Sequence, residues 1–152
     1  MKAFALGLAA SVLLAAAAAH APRAWAVDNL SSKDAPDLTS VRAKIKAKDY
    51  KGAIAELTPM LVTNQHADVY NLMGFSLRKT GDYKQAYTFY RKALDFNPEH
   101  KGALEYLGEL YVETGEVEKA KENVALLQKI CPAGCEELED LREAIALAPK
   151  TN

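Results

Sequence analysis

The chain has 152 residues, enough for one domain of ordinary size, and 19 Lys and Arg residues nearly balance 20 Asp and Glu residues, for a formal net charge of −1. This balance argues against a nucleic-acid-binding protein, which usually carries a basic excess or a basic stripe. After residue 26, no apolar stretch approaches the roughly 20 residues that a membrane-spanning helix needs.

The first 26 residues have the features of a secretory signal peptide. Lys2 gives a basic start, residues 3–19 form an apolar run rich in alanine and leucine, and Ala24-Trp25-Ala26 fits the small-x-small pattern of a cleavage site. We predict cleavage after Ala26, which would leave a mature chain with a net charge of −3 in the periplasm or outside a bacterial cell. An uncleaved membrane anchor is the alternative, although the apolar run is near the lower limit for a span.

Residues 27–35 are short and polar, and we predict a flexible lead-in because they can bury little apolar surface. From there to residue 148, apolar side chains recur at three- and four-residue spacing, which is typical of amphipathic helices. Turn signals such as Thr80-Gly81-Asp82 separate the helical stretches. The pattern predicts seven helices, at residues 36–47, 50–64, 67–80, 83–96, 101–114, 117–130 and 135–148.

Several residue types in this region recur with a period of 34 residues. The pairs at this offset are Met73 and Leu107, Gly74 and Gly108, Gly81 and Gly115, Ala86 and Ala120, and Pro98 and Pro132. A shared period in glycine, alanine, proline and large apolar positions indicates stacked copies of one structural unit. Because small residues let helices approach closely, we predict that Gly74 faces Ala86 and that Gly108 faces Ala120.

The two complete units resemble the tetratricopeptide repeat (TPR) family. The matching residues are Tyr70, Met73, Gly74, Leu77, Tyr83, Ala86, Tyr90, Ala93, Pro98, Leu104, Leu107, Gly108, Tyr111, Ala120, Leu127 and Pro132. The resemblance implies an all-α fold, a right-handed α-solenoid of about three TPR helix hairpins with a C-terminal capping helix. The TPR domain would occupy residues 36–148, with a degenerate repeat at 34–66, complete repeats at 67–100 and 101–134, and the capping helix at 135–148.

The first unit departs from the pattern of the other two. Lys48 stands where a glycine ends the first helix of the later repeats, and Val41 stands where they have Gly74 and Gly108. Pro59 falls inside the predicted second helix, where proline removes a backbone hydrogen bond and is expected to kink the helix.

The resemblance also implies binding of a peptide or protein on a concave surface, lined by the first helix of each repeat, and usually no catalysis. Matched positions assign this surface to Asn71, Phe75, Arg78, Lys79, Glu105, Glu109 and Glu113. The three glutamates follow one another at four-residue spacing on one helix face, where like charges repel. We predict a groove that is basic at its N-terminal end and acidic at its C-terminal end, whose glutamate row contacts a basic partner segment. A solvated charged face is the alternative.

Cys131 and Cys135 flank Pro132-Ala133-Gly134, between the last repeat and the capping helix. In an oxidising compartment, two neighbouring cysteines favour a structural disulfide, which would hold the capping helix to the array. Free thiols and a redox or metal function remain alternatives, although a zinc site normally needs four ligands.

The sequence contains no glycine-rich phosphate loop, no nucleophile elbow and no metal-binding histidine pair. The leading hypothesis is a non-enzymatic interaction or scaffold module of the bacterial envelope, without a cofactor, whose partner is a protein or peptide rather than a nucleic acid. The first alternative is a periplasmic redox or metal-handling protein that uses Cys131 and Cys135. The second alternative is a purely structural array that assembles with copies of itself.

Overall fold

The structure is a computed structural model that describes residues 35–149. The predicted signal peptide and nearly all of the predicted lead-in lie outside these residues. The described part of the chain contains no strand and forms seven helices: α1 (Thr39–Lys46), α2 (Tyr50–Thr63), α3 (Ala67–Lys79), α4 (Tyr83–Phe96), α5 (Lys101–Glu113), α6 (Val117–Ile130) and α7 (Glu136–Leu147). The predicted number and order of helices are confirmed, and every predicted boundary lies within three residues of the observed one.

Consecutive helices form three hairpins, α1 with α2, α3 with α4, and α5 with α6, because short turns between them reverse the chain direction. The hairpins then stack, since α2 packs on α3 and α4 packs on α5. Helix α7 packs on both α5 and α6, so it covers the last hairpin as predicted for a capping helix. Within residues 35–149, no helix has the length and hydropathy needed to cross a membrane.

The turns inside the hairpins share one backbone device. Gly81 and Gly115 adopt left-handed conformations, with φ of +88° and +81°, which end the preceding helices at little cost. Lys48 adopts the same conformation in the first unit, with φ of +59°, although a side chain makes this region unfavourable. Asp49 and Asp82 then cap the next helix by accepting a hydrogen bond from the backbone N–H three residues later, at 2.9 and 3.1 Å.

One apolar core passes through all seven helices. Its largest fully buried side chains include Tyr90, Leu57, Leu104, Leu107, Leu127, Leu141 and Val41. A single hairpin would leave one of its apolar faces in water, so each hairpin depends on its neighbours for stability. Val41 is fully buried. In the degenerate unit, a side chain therefore fills the position that glycine occupies in the complete repeats. Helix α2 continues past Pro59 to Thr63, so the proline does not end it.

Large side chains lie closest to the space that a side chain on either repeat glycine would occupy. A Cβ atom on Gly74 would lie 2.7 Å from Cδ1 of Tyr90 on α4, and one on Gly108 would lie 2.5 Å from Cδ2 of Leu141 on α7. The closest approach to Gly108 therefore comes from the capping helix and not from α6, which carries Ala120. In both places the missing side chain leaves room that a large buried residue fills.

The odd-numbered helices form one continuous side of the array. Helix α5 packs on both α3 and α7, whereas no two even-numbered helices within residues 35–149 pack on one another to a similar extent. This side carries the first helix of each repeat, which the family resemblance predicts to be the concave side. We call the surface of α1, α3, α5 and α7 the concave face.

Candidate functional site

The seven residues predicted to bind a partner all lie on α3 and α5, but they differ in exposure. Phe75 and Glu109 are half-buried, whereas Lys79 and Glu113 are exposed. The other three residues are buried, with relative exposures of 5% for Asn71, 4% for Arg78 and 6% for Glu105. The concave face is therefore a layered site, in which buried polar groups lie beneath the residues that meet solvent.

Arg78 joins α3 to α5 through a buried ion-pair network. Its guanidinium donates to a carboxylate oxygen of Glu109 and, over 3.0 Å, to Oε1 of Glu113. The same group lies 5.6 Å from the ring centroid of Phe75 and 5.8 Å from that of Tyr106, which suits a cation–π contact. Burial alone would lower the pKa of Arg78, but neighbouring groups, the two glutamates among them, hold it above its ordinary value.

This network changes the charge pattern expected from the sequence. Three glutamates at four-residue spacing were expected to repel one another, but Glu109 and Glu113 are both paired with Arg78. For these two residues, the positive charge of Arg78 therefore opposes the repulsion within the row. Arg78 comes from the neighbouring repeat, 31 and 35 positions earlier in the chain. Spacing within one helix gives no information about such a partner.

Glu105 is the member of the row that lacks this compensation. Among residues 35–149, its carboxylate makes no hydrogen bond or ion pair within the usual distance limits. Burial raises the pKa of Glu105 to about 8, and the negative charges of Glu109, Asp140 and Glu137 add to the effect, while Arg78 opposes it. Two of these acidic neighbours belong to the capping helix α7. The acidic part of the site thus extends beyond the predicted residues.

Aromatic side chains connect three helices beneath the concave face. The ring of Phe75 on α3 lies 6.2 Å from that of Tyr50 on α2 and 4.9 Å from that of Tyr106 on α5. The ammonium group of Lys79 lies 5.3 Å from the centroid of the Phe75 ring. Burial, with Glu105 and Glu109 next in effect, raises the pKa of Tyr106 to about 12. Phe75 was predicted from the sequence, whereas its two aromatic partners were not.

Comparison with known proteins agrees with the helix pairs and their period. The sequence profile of the tetratricopeptide repeat matches residues 77–145. Residues 77–145 belong to the tetratricopeptide repeat family. They contain α4, α5 and α6 and most of α7, so the match includes one complete hairpin and most of the capping helix.

Two known proteins illustrate the range of this similarity. The BBSome complex member BBS4 of Bos taurus is 34% identical over 80 residues, which are 53% of this chain and only 15% of that protein. The type III secretion translocator chaperone SycD of Yersinia enterocolitica has a similar structure, with a TM-score of 0.62 over 76% of this chain and 91% of that chain. At 15% identity, the likeness to SycD shows a shared fold alone.

A second polar cluster lies at the start of α3 and α5, and a histidine directly precedes each of these helices. His66 and His100 cap these helices, because Nδ1 of each ring accepts a backbone N–H, from Asp68 at 3.2 Å and from Ala103 at 3.0 Å. Nε2 of His100 lies 3.2 Å from Oδ1 of Asp68, and this hydrogen bond is the main reason why the pKa of Asp68 is lowered. Both histidines thus stabilise the boundaries between repeats.

The two cysteines lie together between α6 and α7. Cys131 follows the last residue of α6 and Cys135 precedes the first residue of α7, with their Cα atoms 6.0 Å apart and their sulfur atoms within bonding distance. Gly134 adopts a left-handed conformation, with φ of +95°, in the loop between them. Within residues 35–149, no group of three or more His, Cys, Asp or Glu side chains is arranged to hold a metal ion.

Proposed function

We propose that this protein is a non-enzymatic interaction module that binds a protein or peptide segment on its concave face. The observation that carries this proposal is the surface shared by α3 and α5. There the ring of Phe75 lies beside exposed Lys79 and beside Arg78, which pairs with exposed Glu113. Apolar anchors surrounded by polar groups are typical of protein interfaces. The names of the two similar proteins, a complex member and a chaperone, describe roles that depend on protein contacts, and they support the same reading.

We place this function in the bacterial envelope, with the mature chain beginning at Val27. The support is the sequence pattern of a basic start, an apolar run and a small-x-small site at residues 24–26. Intact mass measurement of the protein purified from the envelope fraction tests this placement. We expect the mass of residues 27–152, and the mass of the full chain would contradict it.

We also propose that Cys131 and Cys135 form a structural disulfide in that compartment. Its support is the proximity of the pair at the junction of α6 and α7. A redox or metal-handling function is the alternative use of the same pair. A double substitution to alanine separates the two proposals, because a scaffold would keep its partner with a lower melting temperature, whereas a redox protein would lose its activity.

Affinity capture from the source envelope fraction, followed by mass spectrometry, tests the binding function. The test variant is Phe75→Ala, on the concave face, and its matched control is Phe96→Ala, at the end of α4, where the ring is 38% exposed. We expect Phe75→Ala to reduce capture of the partner and Phe96→Ala to leave it unchanged, with helical content of both variants checked by circular dichroism. Equal capture by both variants, or loss only with Phe96→Ala, would contradict the proposal.

A further inference from the structure

Carboxylates outnumber cations where α5 meets α7. Arg78 compensates Glu109 and Glu113, and the ammonium group of Lys101 lies 3.4 Å from Oε1 of Glu137. Among the residues that the structure describes, Glu105 and Asp140 have no cation within ion-pair distance. We call the site formed by Glu105, Glu137 and Asp140 the acidic recess. It combines one helix of the last repeat with the capping helix.

At this level of the fold, one buried acceptor lacks a donor and one largely buried carboxylate lacks a cation. The carboxylate of Glu105 belongs to a side chain that is 6% exposed, and Oδ1 of Asn71, a residue that is 5% exposed, has no hydrogen-bond partner in the described chain. The Asn71 amide reaches α5, since its Nδ2 lies 3.3 Å from where a Cβ atom on Gly102 would stand. A buried acceptor without a donor destabilises the site, so a ligand that supplies N–H groups would be favoured here.

The chemistry of these groups selects a cationic side chain. The ionised carboxylates of Glu105 and Asp140 and the side-chain oxygen of Asn71 only accept hydrogen bonds, whereas Lys and Arg side chains offer only donors and a positive charge. A side chain with an apolar stem also suits the position, because Phe75 and Tyr106 pack together on the neighbouring surface of α3 and α5. We propose that the acidic recess binds a Lys or Arg side chain from the segment that occupies the concave face. This inference rests on the proposed function, and it names the chemistry of the partner.

Proton release accompanies this binding. Glu105 faces Glu109 on its own helix, Glu137 and Asp140 on α7, and Arg78 on α3, and burial raises its pKa to about 8. An arriving cation favours the ionised carboxylate and lowers this pKa. The affinity for a cationic side chain should therefore increase as the pH rises towards about 8, and binding should release a proton.

Two matched peptides test the proposal with the full chain. The probes are an end-capped peptide of alternating alanine and lysine and its counterpart of alternating alanine and glutamate, and binding is followed by amide chemical shifts in NMR spectra. We expect the lysine peptide to shift amides near Glu105 and Asp140, and the glutamate peptide to leave them unchanged. The double variant Glu105→Gln/Asp140→Asn should weaken binding of the lysine peptide at least about tenfold.

The control variant Glu118→Gln/Glu143→Gln removes the same charge from exposed positions on α6 and α7. If it weakens binding as much as the recess variant, the recess is not the site and the inference fails, while shifts at Phe75 would still support binding on the concave face. Shifts confined to the even-numbered helices would overturn both proposals. The unmodified chain gives an independent check, since an affinity that does not change between pH 6 and pH 8.5 would also overturn the recess.

Discussion

Arg78 places a permanent positive charge in the interior of the array. This buried charge is stable only because the carboxylates of Glu109 and Glu113 pair with it. Its side chain is 2% exposed, while those of Glu109 and Glu113 are 24% and 37% exposed. A buried charge that loses its partners is strongly destabilising, whereas a paired one is close to neutral. The network therefore specifies how α3 sits against α5 more than it adds to stability.

Replacing Arg78 with methionine should lower the free energy of unfolding by about 3 kcal/mol, because Glu109 and Glu113 would then stand unpaired beside Glu105. The control is Arg91→Met on α4, where the side chain is exposed and the expected change is within about 0.5 kcal/mol. Urea denaturation measures both variants. Equal effects would show that the interior position of Arg78 does not matter.

Glu105 should make stability depend on pH. Burial raises its pKa from 4.5 to about 8, so the folded state holds a proton that the unfolded state releases between these values. The free energy of unfolding therefore decreases as the pH rises through this window. The decrease is complete above about pH 8 and absent below about pH 4.5.

We therefore expect Glu105→Gln to stabilise the protein at pH 8.5, by a few kcal/mol at most since each pKa unit corresponds to about 1.4 kcal/mol, and to change little at pH 4.5. Thermal unfolding across this range measures the effect. Glu118→Gln on α6, where the side chain is 84% exposed, is the control and should follow the parent protein. A stabilisation of the same size at both pH values would show that the Glu105 charge is not responsible.

The contact between α3 and α4 depends on the absence of a side chain at Gly74. A methyl group there would lie 2.7 Å from the ring of Tyr90, which is fully buried and cannot move away. We expect Gly74→Ala to lower the free energy of unfolding by about 2 kcal/mol, even though alanine favours helix by about 1 kcal/mol. The double variant with Tyr90→Leu should recover part of the loss, and a neutral or stabilising Gly74→Ala would contradict the close packing.

The cysteine pair links α6 to α7 and should affect the capping helix most. If the proposed disulfide forms, Cys131→Ala/Cys135→Ala should cost about 2 kcal/mol, since a short closed loop removes little entropy from the unfolded chain. Hydrogen exchange should then speed up first in α7. Mass measurement with and without reductant gives the control, because two additional hydrogens appear only if the bond was present.

Helix positions were predictable because they depend on local signals. Apolar periodicity, the stop at Gly81 and the cap at Asp82 all act within a few residues, and α4 begins and ends where the sequence predicts. Contacts between repeats were not predictable in the same way. Arg78 reaches Glu109 across 31 residues and Leu141 fills the space at Gly108, and no local pattern distinguishes these partners from others of the same type.

Across residues 35–149, the stacking of the helix hairpins joins the contacts between repeats into one surface. The packing of α5 on both α3 and α7 brings residues from two repeats and the capping helix together on the concave face. The capping helix α7 therefore does more than cover the last hairpin, because it supplies Glu137 and Asp140 of the acidic recess. Sequence reasoning assigned α7 to capping the array and did not include either residue in the site.

Site-specific photo-cross-linking in the source cell is the most direct test of partner binding on the concave face. A photoreactive amino acid replaces exposed Lys79 on α3 in one variant and Leu126 on α6, which is 44% exposed, in the other. We expect cross-links to another protein from position 79 and none from position 126. Cross-links from position 126 alone would contradict the account.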